Sequence, residues 1–248
     1  MKIYRKNKQV NGSFNNGDIL EKKPIGFPQD MGKLKPYSNL FYWAFGWSDK
    51  GSTIGLHPHQ GFEIMTFVLD GEISHYDTKI DKWRNLKKGD AQIIRSGSGI
   101  SHAEKIHSGA KYFQIWFDPD LYKTLSKPAN YNDYIHETFP NIHKDSVVIK
   151  TYTGKDAPVE LDTPGLLINE YTIKNSTLEI NVPDKKLVSI YIVEGELTFN
   201  EQTLNEGDFT ISEDDLSIET TKNSRIFVIE SLLKPGYVTY AERFYKNL

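Results

Sequence analysis

Apolar residues in this chain fall in short runs and alternating stretches bounded by Gly, Asn, Asp and Lys. That is the period of half-buried β-strands joined by tight turns. The segment TFVLDGEISHYD (66–77) is an apolar run, then an acidic-Gly-Glu turn, then an alternating strand. IYIVEGELTFNE (190–201) has the same form, with Gly195 lying 124 residues after Gly71. LKKGDAQII (86–94) is matched by LNEGDFTIS (204–212), with Gly207 lying 118 residues after Gly89. KYFQIWF (111–117) is matched by SRIFVIES (224–231). Each copy reads as a hairpin, a Gly-Asp turn and two further strands, so the expected fold class is all-β, with two related β units in tandem. The expected boundaries are an N-terminal domain over 1–118, a polar linker over 119–144 that holds Pro119, Pro128 and Pro140, and a C-terminal domain over 145–248. Helix is scarce. PDLYKTLSK is expected to hold a helical turn, and TYAERFYKNL a short helix with Tyr240, Phe244 and Leu248 on one packing face.

Composition narrows the classes. The 248 residues can bury a real core as one or two domains. A net charge of −3 and a pI near 6.2 argue against a bulk electrostatic pull on nucleic acid. The locally basic KIYRKNK (2–8) and the Lys79–Lys88 region read as solvated faces. There is no cysteine, which excludes disulfides, thiolate ligands and Cys nucleophiles and fits a reducing cytosol, so a cytoplasmic location is expected. The N-terminus has charge without an apolar core, so no signal peptide is expected, and no apolar run is long enough to span a membrane.

The chemistry lies in two short stretches, GLHPHQGFE (55–63) and SGSGISHAE (96–104). Each offers two ligand-type side chains at i and i+2: His57 with His59, and His102 with Glu104. On a strand such residues share a face, their Cα atoms about 6–7 Å apart. Two such strands side by side can aim three imidazoles and a carboxylate at one point. That donor set suits Fe, Ni, Cu, Mn or Zn. HxH by itself is a weak signal, but three of the seven histidines fall in these stretches. His75, His107, His136 and His143 lack a partner at ligand spacing and read as ordinary surface or core residues. The repeat provides an internal control. At the two offsets His57 and His59 map to Asn181 and Pro183, and His102 and Glu104 map to Thr220 and Lys222. The second copy therefore keeps the strand signals without the ligands, so folding does not demand them.

GLHPHQGFE followed by DGEISHYD, KGDAQIIRSGSGISHAE and FQIWF resembles the pirin family of the cupin superfamily. The likeness is specific over 51–118 and looser beyond, and NLFYWAFGWSD stands where many pirins have a DPF-type segment. The resemblance implies two cupin (jelly-roll) β-barrels with metal only in the first. It also implies that His57, His59, His102 and Glu104 are the ligands, usually of Fe(II). Arg95 stands where many cupins carry Pro, and Glu63 falls one residue short of the usual Glu of the first cupin motif. Glu63 and Gln114 are expected as groups beside the ligands, against the plainer reading of each as a solvated strand residue.

Four protein ligands leave open positions on a five- or six-coordinate metal, as catalysis requires. A barrel mouth drawn from Phe62, Met65, Phe113 and Trp116 would be apolar and suit a flat, oxygen-bearing substrate. The resemblance implies quercetin 2,3-dioxygenase activity for some members, acting on a small aromatic substrate plus dioxygen, with Glu104 as general base. It equally implies a regulatory class, a metal-bound transcriptional co-regulator or enzyme modulator that works through a protein partner. A third reading is a dioxygenase for another enolic or phenolic compound. Other signatures are missing: no GxSxG, no P-loop, no GxGxxG after a strand. The glycines of SGSG (96–99) serve as a tight bend before His102.

Overall fold

The computed structural model describes residues 1–246, so Leu248, expected on the packing face of the last helix, lies outside them. The described chain is a succession of antiparallel strands forming two compact units, each with one seven-stranded and one four-stranded sheet. The unit that carries His57, His59 and His102 spans residues 9–138 with the described C-terminal segment from 237. Its larger sheet runs, in spatial order, Asn130–Tyr134, Ala91–Arg95, Glu63–Asp70, Ala110–Phe117, Leu40–Ser48, Ile19–Ile25 and Val10–Phe14. Its smaller sheet runs Ser52–His59, Ile100–Ile106, Glu72–Asp77 and Lys82–Lys87. The second unit, residues 1–8 with 139–236, repeats this plan.

The unit boundaries differ from the expected 1–118, 119–144 and 145–248. Lys2–Tyr4 pairs with Phe209–Ser212, and Arg5 Nη1 bonds Asp208 Oδ2 at 2.8 Å, which ties the first residues to the later barrel. Asn130–Tyr134, expected in the linker, pairs with Ala91–Arg95 of the first barrel. In both cases a short strand covers a sheet edge whose backbone groups would otherwise lack partners. Leu121–Thr124 is the helical turn, with Asp120 capping the N–H of Tyr122 at 3.3 Å. The helix Tyr240–Lys246 opens on a capping box in which Thr239 and Glu242 exchange hydrogen bonds of 3.2 Å. Tyr240 lays its ring edge-on against Phe41 and Phe62 of the first barrel.

The paired turn glycines are needed for their backbone conformation. Gly71 and Gly195 have φ of +71° and +91°, and Gly89 and Gly207 have φ of +89° and +86°. A side chain at Gly71 would also meet the backbone of Ala110 at 2.8 Å. Alternation then sorts side chains between the two sheet faces. In Ala110–Phe117, Tyr112, Gln114 and Trp116 share one face, which holds the site, and Phe113, Ile115 and Phe117 the other.

Candidate metal centre

His57 and His102 are directly opposed on neighbouring antiparallel strands, Ser52–His59 and Ile100–Ile106. His59 follows two residues on, on the same face. The ligand-type nitrogens of His57, His59 and His102 lie within 4.8 Å of one another. His59 Nε2 and His102 Nε2 are 2.9 Å apart. The δ nitrogens are occupied elsewhere. His57 Nδ1 bonds the carbonyl of Gly55 at 2.8 Å, and His102 Nδ1 faces His75 Nε2 at 3.2 Å. These contacts leave the ε nitrogens of His57 and His102 to donate to an ion, and the donor set fits a borderline divalent ion.

The electrostatics agree. Burial, and then the charge of His57, lower the pKa of His59 to about 4. Burial and the three neighbouring imidazoles hold His102 far below its ordinary value. Both shifts favour the neutral imidazole at His59 and His102, the form that donates a lone pair.

Glu104 lies outside this trio. It is 2% exposed, and Gln114 Nε2 donates to its two oxygens at 2.8 and 3.0 Å. The ladder slips between His102 and Glu104, because His102 opposes His57 whereas Glu104 opposes Ile54. This bulge adds a residue to the HxH strand. Burial raises the pKa of Glu104, with the Gln114 bonds acting in the opposite sense.

Gln114 thus faces the site, but Glu63 does not. Glu63 opposes Phe117, on the sheet face away from Gln114, and its carboxylate lies 3.6 Å from Arg95. Arg95, at the place of the cupin proline, also bonds Asn130 and Asn132 at 2.7 and 2.8 Å. The same alternation divides the expected apolar mouth. Trp116 meets His59 edge-on at 4.7 Å and lies beside Phe62 at 5.6 Å. Met65 and Phe113 point to the opposite face, Phe113 against Trp43 and Phe45. Beside His59 opens a cleft of about 580 Å³ that includes Gln60, Thr78, Ser98, Ile100 and Ser101. The bend 96–99 that shapes it depends on Gly97, where a side chain would strike the carbonyl of Lys127 at 2.4 Å. The loop is held by Ser96 N–H on Phe62 O and by Gly61 N–H on Gly97 O, at 2.9 and 3.0 Å.

Sequence reasoning passed over His75. It is 1% exposed, opposes Glu104 in the ladder, and stacks on Tyr131 at 4.8 Å. A signal was available: His75-Tyr76-Asp77 has the same i, i+2 form as the ligand pairs.

In the second barrel the ladder corrects the sequence alignment. The offset of 124 takes His75 to Phe199, and Phe199 opposes Ile218 as His75 opposes Glu104. Leu216 and Ile218 therefore stand where His102 and Glu104 do, in place of Thr220 and Lys222, because the intervening turn is shorter. Phe199, Leu216 and Ile218 are all buried in that barrel's apolar core.

Two double-sheeted antiparallel barrels, with converging histidines in the first, define a bicupin. Residues 27–117 match the pirin family model, and with the pirin-named relatives this supports the pirin family for this chain. It is 31% identical over 197 residues to a pirin-like protein of Solanum lycopersicum, covering 75% of this chain and 64% of that one. It is 24% identical over 187 residues to quercetin 2,3-dioxygenase of Escherichia coli strain K12, covering 73% and 78%. The matches span 44%, 64% and 58% of three plant pirin relatives. The crystal structure of the bacterial pirin YhhW of Escherichia coli in complex with nickel(II) superposes with a TM-score of 0.76 at 20% identity, covering 93% of this chain and 99% of that one.

Proposed function

We propose that this chain is a metal-dependent dioxygenase that opens the ring of a flavonol or a related enolic or phenolic compound, as a quercetin 2,3-dioxygenase does. The observation that carries this reading is the convergence of His57, His59 and His102 beside a buried carboxylate, Glu104, that Gln114 holds. The relatives named quercetin 2,3-dioxygenase support it. In this reading His57, His59, His102 and Glu104 hold one divalent ion, with Fe(II) preferred and Ni, Mn, Cu and Zn as alternatives. Such an ion would supply Lewis acidity toward a substrate oxygen and redox chemistry toward dioxygen.

The chain's own residues do the remaining work. Glu104 accepts the proton of the substrate hydroxyl as general base. Gln114 orients that carboxylate. Gln60, Thr78, Ser98 and Ser101, which line the cleft beside His59, offer hydrogen bonds to the substrate's hydroxyls.

The test is dioxygen uptake by protein loaded anaerobically with Fe(II) and given quercetin, beside a His57→Ala control. Uptake above the control, with loss of the flavonol, supports the reading. No uptake with Fe, Ni, Mn or Cu removes it and moves the function to regulation of a protein partner.

A further inference from the structure

We propose that His75 is a positioning residue for the metal centre: it accepts the Nδ1–H of His102 and so holds the lone pair of His102 Nε2 toward the site, with Asp77 behind it. The inference rests on the metal reading above and concerns a residue outside the ligand set.

Four observations converge. His102 Nδ1 and His75 Nε2 are 3.2 Å apart, and both rings are 1% exposed, so no solvent competes for this contact. On the other side of the His75 ring, Nδ1 lies 3.8 Å from Asp77 Oδ2. Neither of these two buried atoms has a hydrogen-bond partner among the described residues, so each is the nearest polar group open to the other. Asp77 is itself held, since its Oδ1 accepts from the N–H groups of Lys79 and Ile80 at 2.7 and 2.9 Å. Finally, the ring plane of His75 is fixed by stacking on Tyr131, which bonds Asp133 and receives Gln92 Nε2 at 3.1 Å.

Tautomer logic then gives the contact a direction. His102 can donate Nε2 to a metal as a neutral ring only if Nδ1 carries its proton. That proton needs an acceptor, and His75 Nε2 is the atom opposite. His75 must then carry its own proton on Nδ1, the nitrogen that faces Asp77. A carboxylate, an imidazole and a ligand imidazole thus stand in line, with the His75–His102 contact fixing the tautomer of the ligand ring and the Asp77 charge favouring the matching tautomer of His75. Folding does not require the arrangement, because the second barrel holds Phe199 and Leu216 at the positions of His75 and His102.

The experiment uses the full chain, with His75→Phe to remove the acceptor and His75→Gln to keep one. Nitrogen chemical shifts of 15N-histidine-labelled, metal-free protein report the tautomer of His102. Competition with a chelator reports Ni(II) affinity. The expected result is a His102 ring protonated at Nδ1 in the wild type. His75→Phe should lose that preference and bind Ni(II) about 10–100-fold more weakly. His75→Gln should recover most of both. Circular dichroism of the metal-free variants confirms that each is folded. A wild-type His102 protonated at Nε2 would overturn the proposal, as would a His75→Phe variant with unchanged tautomer and affinity. A wild-type chain that binds no metal sinks the metal reading instead, and the tautomer of His102 still judges the contact. Should His75→Phe fail to fold, the wild-type tautomer and His75→Gln decide.

Discussion

The side-chain amide of Gln114 donates to both oxygens of Glu104, while its own oxygen lies 3.4 Å from Trp116 Nε1. The indole fixes which way the amide points, and the amide fixes the carboxylate. The two residues sit on different sheets of one barrel, so the contact also joins strand Ile100–Ile106 to strand Ala110–Phe117.

Gln114→Leu removes this contact at nearly constant volume. Turnover of the flavonol is expected to fall about 10–100-fold, while metal content measured by elemental analysis stays near wild type. Unchanged turnover would show that Glu104 works without its partner.

The histidine trio predicts linked metal binding and stability. A ligand that binds only the folded chain stabilises it by about 2.7 kcal/mol when present at a hundredfold excess over its Kd. Added Ni(II) should therefore raise the Tm of the wild type but leave His59→Ala and His102→Ala unmoved. An equal shift in all three would place the ion elsewhere.

Gly71 is expected to be intolerant for reasons unrelated to chemistry. Its φ of +71° and the 2.8 Å approach of Ala110 make Gly71→Ala strained, and about 1–3 kcal/mol of stability should be lost. Denaturant unfolding reads this directly. Gly55→Ala, in a strand where a methyl group meets nothing within 4 Å, is the control and should be nearly neutral.

Asp118 predicts a pH dependence away from the site. It is 1% exposed, and burial raises its pKa from 3.8 to about 6, against the opposing effect of the Tyr240 and Ala241 N–H groups. A raised acid is protonated in the folded chain where the unfolded chain has already lost its proton. Its contribution is therefore complete below pH 3.8 and is lost as pH rises through about 6. The loss amounts to roughly 3 kcal/mol at most. Asp118→Asn, which can still accept from Ala241 N–H, should flatten that part of the stability–pH profile and gain on the wild type at pH 8. Parallel profiles for the two proteins would show that Asp118 is not the titrating group.

Much of this was legible in the chain itself. Strand periodicity and turn glycines are local properties, so the all-β class and the two-fold repeat could be read from Gly71 with Gly195 and Gly89 with Gly207. The i, i+2 spacing placed His57 beside His59 on one face because a strand alternates without exception over so short a distance. What depended on pairing was not legible. A bulge in the strand opposite His102 shifts the register between His102 and Glu104, and only the ladder reveals it. Parity within one sheet turned Gln114 toward the site and Glu63, Met65 and Phe113 away from it. His75 looked solitary because two of its neighbours come from other strands: His102 lies 27 residues away and Tyr131 lies 56. Edge strands from distant parts of the chain moved the unit boundaries for the same reason. Sequence alone determined which residues could share a face. Tertiary structure decided which faces meet, because hydrogen-bond register between strands is set by the whole sheet and not by the residues of any one strand.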